Sequence, residues 1–240
     1  NLNLMNWYFL QVTPPGPSLA DTLRQALHNT TENAPTMNLM DMLVNGGPIM
    51  IPLALLLAVA LFFFFERWIA ISKASKIDPN FMNIIKDNIY TGNVTAARSL
   101  AKNTPNPVAR MIDKGLQRIG KPIDAIEKSM ENVGKLEIYK MERNLSVLSL
   151  VYGIAPMFGF LGTIIGMLQL FYNINSSGEF TPAQIAGGIY TKMITSASGL
   201  IIGLLAYVGH NFLNAQIDKT VNKMESASAE FIDMLQEPTR

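Results

Sequence analysis

The chain has 240 residues, of which only 15% are charged, against about 25% in an average soluble domain. Lys plus Arg (19) nearly balance Asp plus Glu (18), so the formal net charge is +1, which excludes the basic excess of a nucleic-acid binder. There is no Cys, and the two His, His28 and His210, lie far apart. Disulfide scaffolds, thiolate zinc sites, iron–sulfur clusters, cysteine nucleophiles and a helical His pair are thereby excluded, and no cofactor is expected.

Residues 1–36 are polar, with Pro14, Pro15, Pro17 and Pro35 bounding a short amphipathic stretch. Ser18 suits a helix cap, and Leu19, Leu23, Ala26 and Leu27 follow helical spacing. Such a helix fits the outer surface of a bilayer, and an untethered tail is the alternative. Position 1 is not Met, which suits either a removed leader or a trimmed chain.

Three apolar blocks follow, each matching a bilayer core of about 30 Å, or roughly 20 helical residues. The first, Ile49 to Phe65, has no charge and is closed by Glu66, Arg67 and Trp68. The second lies between Arg143 and Glu179, with Leu145 to Tyr172 as its apolar part, and the third runs from Ile185 to Leu213 with Lys192 as its one charge. Backbone polar groups in lipid must bond within the chain, so these blocks are expected to be helices.

Between the first two blocks, Pro79, Gly92, Pro105, Pro107, Gly120 and Pro122 punctuate several short helices. No proline follows Pro122 until Pro156, and none lies between Ile185 and Pro238. One helix is therefore expected from Pro122 into the second span through Tyr172, and another from Ile185 to about Leu235. In the latter, Ile217, Val221, Met224, Phe231 and Met234 recur at three- or four-residue steps for most of the run, which predicts packing against another helix.

Of the 19 basic residues, all but Arg24 and Lys192 lie from Arg67 to Arg143 or beyond the third block. The positive-inside rule then places the N-terminus outside, and residues 67–143 with the C-terminus in the cytoplasm. The expected fold class is all-α, a polytopic membrane protein with three transmembrane helices, two of them extended far into the cytoplasm. Its segments are a periplasmic stretch 1–45, a span 46–71, a cytoplasmic helical region 72–142, a span 143–173, a periplasmic loop 174–184, a span 185–213 and a cytoplasmic helix 214–240.

Polar residues inside spans are costly and mark candidate sites. In the second span Thr163 lies between Gly162 and Gly166, a small-xxx-small pair that admits a close neighbour. A lone Thr there ordinarily bonds its own i−4 carbonyl. In the third span Thr191, Thr195 and Ser198 share one face, and Lys192, Ser196, Gly199 and Gly203 share the adjacent one. Hydroxyls flanked by glycines suit a narrow wet path, although helix packing alone also accounts for Gly and Ser. A charge at a helix centre costs about 2.5 to 3.5 kcal/mol on insertion scales. Lys192 lies about two turns from the outer end of its block, so snorkelling and a role near a pore both remain open.

The run from Ala155-Pro156 through Gly159-Phe160-Leu161-Gly162-Thr163 to Gly166-Met167 resembles the second-span motif of the ExbB/TolQ/MotA proton-channel family, most of all ExbB. Gly187-Gly188-Ile189-Tyr190 and Thr195-Ser196-Ala197-Ser198-Gly199-Leu200 look like its third span, and Gly92 to Ala101 with Thr104 to Met111 is similar to its cytoplasmic hairpin. The likeness covers residues 40 to 235. It implies a homopentamer around the membrane helices of an ExbD-like dimer, driving a TonB-like protein from the bacterial inner membrane. It also implies a pore lined by spans two and three, with Thr163 as the pore threonine and Ser196 in place of a second one.

Many members of that family carry a Glu five residues before the second hydroxyl, where this chain has Thr191. No acidic residue lies between Glu179 and Asp218, so the resemblance implies that the partner supplies the titrating carboxylate. A proton wire and a sodium site are both compatible. A non-enzymatic stator is expected, with a TolQ-like envelope or gliding-type motor subunit, or a passive scaffold, as alternatives. An intramembrane enzyme fares worst, since His210 lies about three turns from Ser198.

Overall fold

A computed structural model describes residues 46–178 and 181–236, with the backbone alone at Ala183, Gln184 and Thr191. The expected helix near Ser18 lies outside the described residues. Seven helices make up the described chain, with no strand among them: α1 (Met50–Ala74), α2 (Phe81–Tyr90), α3 (Val94–Asn103), α4 (Pro107–Leu116), α5 (Ile123–Glu142), α6 (Leu145–Ser177) and α7 (Pro182–Gln236).

α1, α6 and α7 are each long and apolar enough to cross a membrane, as the three apolar blocks predict. In α1 the buried residues Met50, Leu53, Ala60, Arg67 and Ile71 form one narrow stripe. The rest of its surface presents Ile51, Leu55, Phe62, Phe65 and Ile69 outward. Apolar exposure on that scale suits lipid rather than water. α7 continues past its apolar part without interruption, and its 55 residues amount to about 80 Å of helix at 1.5 Å per residue.

The expected single helix from Pro122 to Tyr172 is corrected: α5 ends at Glu142 and α6 starts at Leu145. Asn144 between them has φ 70°, a left-handed conformation that Asn tolerates better than other residues with a side chain. The break also leaves the last carbonyls of α5 without helical donors. Arg67 of α1 reaches across to one of them, its Nη1 donating to the Lys140 carbonyl at 3.2 Å. The Arg67 side chain is itself held by Glu66, through Nε to Oε2 at 2.7 Å and through a second contact from Nη2 to Oε1. Beyond α6, Gly178 closes the helix at φ 69° and donates to the Ile174 carbonyl at 3.1 Å.

The helices between α1 and α6 form as their punctuation predicts. Asn93 accepts from the Ala96 amide at 3.1 Å and Asn106 from the Val108 amide at 2.8 Å, each satisfying an orphan donor of a helix N-terminus. Gly92 and Gly120 turn the chain at positive φ. Seven residues of α4 are buried: Pro107, Val108, Ala109, Met111, Ile112, Gly115 and Leu116. This helix is the centre of the core outside the spans.

The lower part of α7 closes that core with Leu213, Ile217, Thr220, Met224, Ala227, Phe231 and Met234, all buried. Their alternating steps of four and three make a heptad seam. Of the expected set, Val221 is only partly buried, and Thr220 and Ala227 occupy the seam with the rest. A Cβ on Gly115 of α4 would fall 2.6 Å from Phe231 Cε1 and 2.6 Å from Met130 Sδ, so a larger residue there would have to displace the Phe231 ring and the Met130 thioether.

Asn106 joins this block to the first span. Its Nδ2 donates to the Ala74 carbonyl at 2.7 Å and to the Lys76 carbonyl at 2.8 Å. Lys223 Nζ of α7 donates to the Ser75 carbonyl at 3.2 Å. The open C-terminal end of α1 is thus satisfied from two other helices.

Candidate functional site

The most extensive helix pair in the molecule is α6 with α7, and its contact surface is built from small residues. The backbones approach closely at Gly159 and Gly199. A Cβ added to Gly199 would sit 2.6 Å from the Ala155 carbonyl oxygen and 2.8 Å from Gly159 Cα. Both neighbours are backbone and cannot swing aside. At the next level inward, Gly203 lies against Pro156, 2.7 Å from its Cγ to a notional Cβ, and near the Tyr152 carbonyl. Pro156 has no amide hydrogen for that carbonyl.

Gly162 and Gly166, expected to admit a neighbouring backbone, instead admit side chains of α7. The space a Cβ would take at Gly162 is occupied by Thr195 Cγ2, at 2.5 Å. At Gly166 it is occupied by the aliphatic stem of Lys192, whose Cγ, Cδ and Cε all lie there. Gly159 is a contact residue that the sequence reading does not single out. Its signal is the Ala155-xxx-Gly159 spacing, another small-xxx-small pair.

Thr163 sits between these two seats. Its hydroxyl faces its own i−4 carbonyl, Gly159, at 3.3 Å, and also the Lys192 carbonyl of α7 at 3.2 Å. The local bond expected of a lone Thr is present, and a second one crosses the seam. Thr195 is 1% exposed and donates to the Gly46 carbonyl at 3.3 Å, tying the third span to the start of the first. Ser198 donates to the Ile194 carbonyl at 2.9 Å. Ser196 is half-buried beside Gly159. Thr191 is on α7, and its side chain lies outside the described residues. The structure therefore brings Thr163, Lys192 and Ser196 to one seam, turns Thr195 toward α1, and folds Ser198 back on its own helix.

Among the described residues no carboxylate enters this region. α6 has none, and α7 has none before Asp218. Among the described residues no cluster of His, Cys, Asp or Glu could hold a metal ion. His210 packs edge-on to the Tyr152 ring at 5.7 Å and faces the Asn214 amide at 3.4 Å, an arrangement of ring contacts rather than of proton transfer to Ser198.

Among the described residues two charged groups outside the expected set are buried. One is Arg67, described above. The other is Glu137 of α5, 3% exposed, paired with Arg110 of α4 at 2.7 Å and with Lys140 at 2.6 Å. A buried carboxylate that lost these cations would be strongly destabilising. The i, i+3 spacing of Glu137 and Lys140 is readable in the sequence, but the burial that makes the pair matter comes from tertiary packing.

Several known proteins are similar to this chain. A biopolymer transport protein ExbB homolog of Methanothermobacter thermautotrophicus is 26% identical over 187 residues, 78% of this chain and 66% of the relative. The biopolymer transport protein exbB1 of Vibrio cholerae is 33% identical over 88 residues, covering 36% of this chain and 39% of the relative. The Tol-Pal system protein TolQ of Haemophilus influenzae is 29% identical over 97 residues, 40% of this chain and 41% of the relative. The chain thus spans just under two thirds of the length of the first and about two fifths of the other two. The sequence model of the MotA/TolQ/ExbB proton channel family matches residues 103–226, a stretch that holds α4, α5, α6, the whole glycine seam and most of the heptad seam below it. With three helices fit to span a bilayer, this chain is a membrane protein and belongs to the MotA/TolQ/ExbB proton channel family.

Proposed function

We propose that the chain is the ExbB-like stator subunit of an ion-driven motor in the bacterial inner membrane. Five copies surround the membrane helices of an ExbD-like dimer, and the assembly drives a TonB-like protein that energises outer-membrane active transport. The N-terminus is periplasmic, and α2 to α5 with the lower part of α7 are cytoplasmic, the side that carries the basic residues. The chain makes and breaks no covalent bonds. Each elementary charge crossing the bilayer yields about 2.3 kcal/mol per 100 mV, so several must be coupled to one mechanical step.

The observation that carries this reading is the Thr163 hydroxyl, which bridges α6 to the Lys192 carbonyl of α7 at 3.2 Å in a seam that has no carboxylate. A hydroxyl there offers lone pairs to water or to a passing ion, and the titrating acid comes from the partner helix. Thr163, Ser196, Thr191, Thr195, Ser198 and Lys192 form the path or its walls. Gly162, Gly166, Gly199 and Gly203 hold the walls together.

The test is the double variant Thr163→Val with Ser196→Val in a strain that depends on the chain. Energised uptake is expected to be lost while the assembly still purifies at its normal size. Full uptake by the double variant would overturn the pore assignment. The similarity to TolQ supports a second reading, a subunit that maintains the envelope. Deletion separates the two, since that reading predicts outer-membrane leakage with uptake intact.

A further inference from the structure

We propose that His210 is the inner proton-carrying station of the path, taking up protons that have passed Thr163 and Ser196 and handing them to water beneath the membrane. This rests on the stator reading above and adds a residue that the reading leaves idle. On α6, Pro156 and Ser149 follow Thr163 at steps of seven residues, with Tyr152 between them. On α7, Gly203 and His210 follow Ser196 at the same step, and a step of seven keeps a residue on nearly the same helix face. The packing agrees. Gly203 lies against Pro156 and near the Tyr152 carbonyl, and the Tyr152 ring meets His210 edge-on at 5.7 Å. The seam that holds Thr163 and Ser196 therefore leads, about 21 Å along α7, to an imidazole.

His210 is half-buried and lies three residues before Leu213, where the large residues of the lower seam begin. An ionisable side chain inside a span is costly and marks a functional residue. Packing alone does not call for it, because a Phe ring would meet Tyr152 edge-on equally well. Imidazole is the side chain that both accepts and gives up a proton near neutral pH, and its surroundings here serve both states. The Asn214 amide nitrogen faces Nδ1 at 3.4 Å, which suits the neutral ring, and turning that amide presents its oxygen to a protonated Nδ1. A proton arriving at Nδ1 makes the imidazolium, and loss of one ring proton to water restores the neutral side chain, so one proton enters and one leaves. The titratable groups beside His210 are two tyrosines. Tyr152 takes a hydrogen bond on its hydroxyl from Ser149 at 3.4 Å, and Tyr207 of α7 stands edge-on to the same Tyr152 ring at 5.5 Å. α1 from Ile49 to Phe65, α6, and α7 from Met193 to Ile217 hold no Asp, Glu, Lys or Arg. The first charges reached are Glu66 and Arg67, which hold each other, then Arg143 and Asp218. No fixed counter-charge on these helices traps the imidazolium.

The test measures proton entry into vesicles that hold the complex isolated from native membranes, with a pH-sensitive dye inside and a proton gradient imposed from outside. At a constant gradient, entry in the parent is expected to fall as the cytoplasmic-side pH drops below neutral, because an imidazole that stays protonated releases nothing. His210→Phe keeps a ring against Tyr152 and carries no proton. It is expected to leave the size of the complex unchanged, to lower entry by about tenfold or more, and to abolish that pH dependence. His210→Ala loses entry equally and regains it when free imidazole is added, a rescue that a packing role would not show. Imidazole leaves the Thr163→Val, Ser196→Val complex inactive, since its defect lies higher in the seam. Entry at the parent's rate with His210→Phe, or a His210→Ala complex that imidazole fails to rescue, overturns the proposal. If His210→Phe disturbs assembly, the imidazole rescue decides alone. A parent complex that admits no protons ends the stator reading itself, whereas failure of this proposal alone leaves parental entry and the defect of the double variant in place.

Discussion

The upper and lower parts of α7 solve the same problem, holding one helix against another, by opposite means. Above Leu213 the buried positions include Thr195, Gly199, Gly203, Ala206 and Gly209. Below it they include Ile217, Met224, Phe231 and Met234. In lipid, removing a large apolar side chain from its surroundings gains little, so helices associate through close backbone approach and cross-helix hydrogen bonds. In water the gain comes from apolar area, and the seam fills with large residues. A single unbroken helix crosses from one regime to the other, and its residue sizes change where the solvent changes.

The sharpest way to break this contrast is to exchange the rules. Phe231 is fully buried, and Phe231→Ala is expected to cost about 3–5 kcal/mol. The loss should appear as faster proteolysis of α2 to α5, with the spans still protected in detergent. Equal proteolysis of variant and parent would show that the lower seam does not depend on apolar area.

The reverse exchange belongs to the upper seam. Gly199→Val adds bulk against the Ala155 carbonyl and Gly159 Cα, neither of which can yield. A cost of about 1–3 kcal/mol is expected, read as a lower unfolding temperature in detergent and loss of the assembled complex. Gly153 is the matched control on α6, because a Cβ there meets nothing within 4 Å. If Gly153→Ala were as damaging as Gly199→Val, close approach would not be the reason.

This difference between the regimes also explains how far the sequence could be read. Span number, the length of α7 and the short helices at Pro107 and Gly120 were legible because charge gaps and Pro or Gly punctuation are local signals. The site was legible in part. Thr163 and the glycines stood out as unusual residues in a span, but the second bond of Thr163 runs to a residue 29 positions away. Thr195 shares a helical face with Ser198 by spacing, yet its hydroxyl reaches Gly46 in the turn ahead of α1. Asn106 drew no reading of its own in the sequence, where only Pro107 marked the helix start. Its two further bonds, to Ala74 and Lys76, appear only when α1 and α4 are brought together.

The break at Asn144 was the least legible feature, since neither Pro nor Gly marks it, and it gives the smallest and most discriminating expectation. Left-handed backbone costs an ordinary L-residue about 1–2 kcal/mol, and glycine almost nothing. If the break is imposed by Arg67 on the Lys140 carbonyl, Asn144→Gly keeps the parent's stability within a few tenths of a kcal/mol while Asn144→Ala loses about 1 kcal/mol. Arg67→Met removes the brace and so reverses the order. Without a donor for the Lys140 carbonyl, the chain gains by closing α5 and α6 into one helix, and the alanine variant then favours that helix where the glycine variant opposes it. Measuring unfolding for the four combinations of these substitutions gives the coupling directly. A coupling of zero would mean that α5 and α6 part at Asn144 for a reason other than the first span.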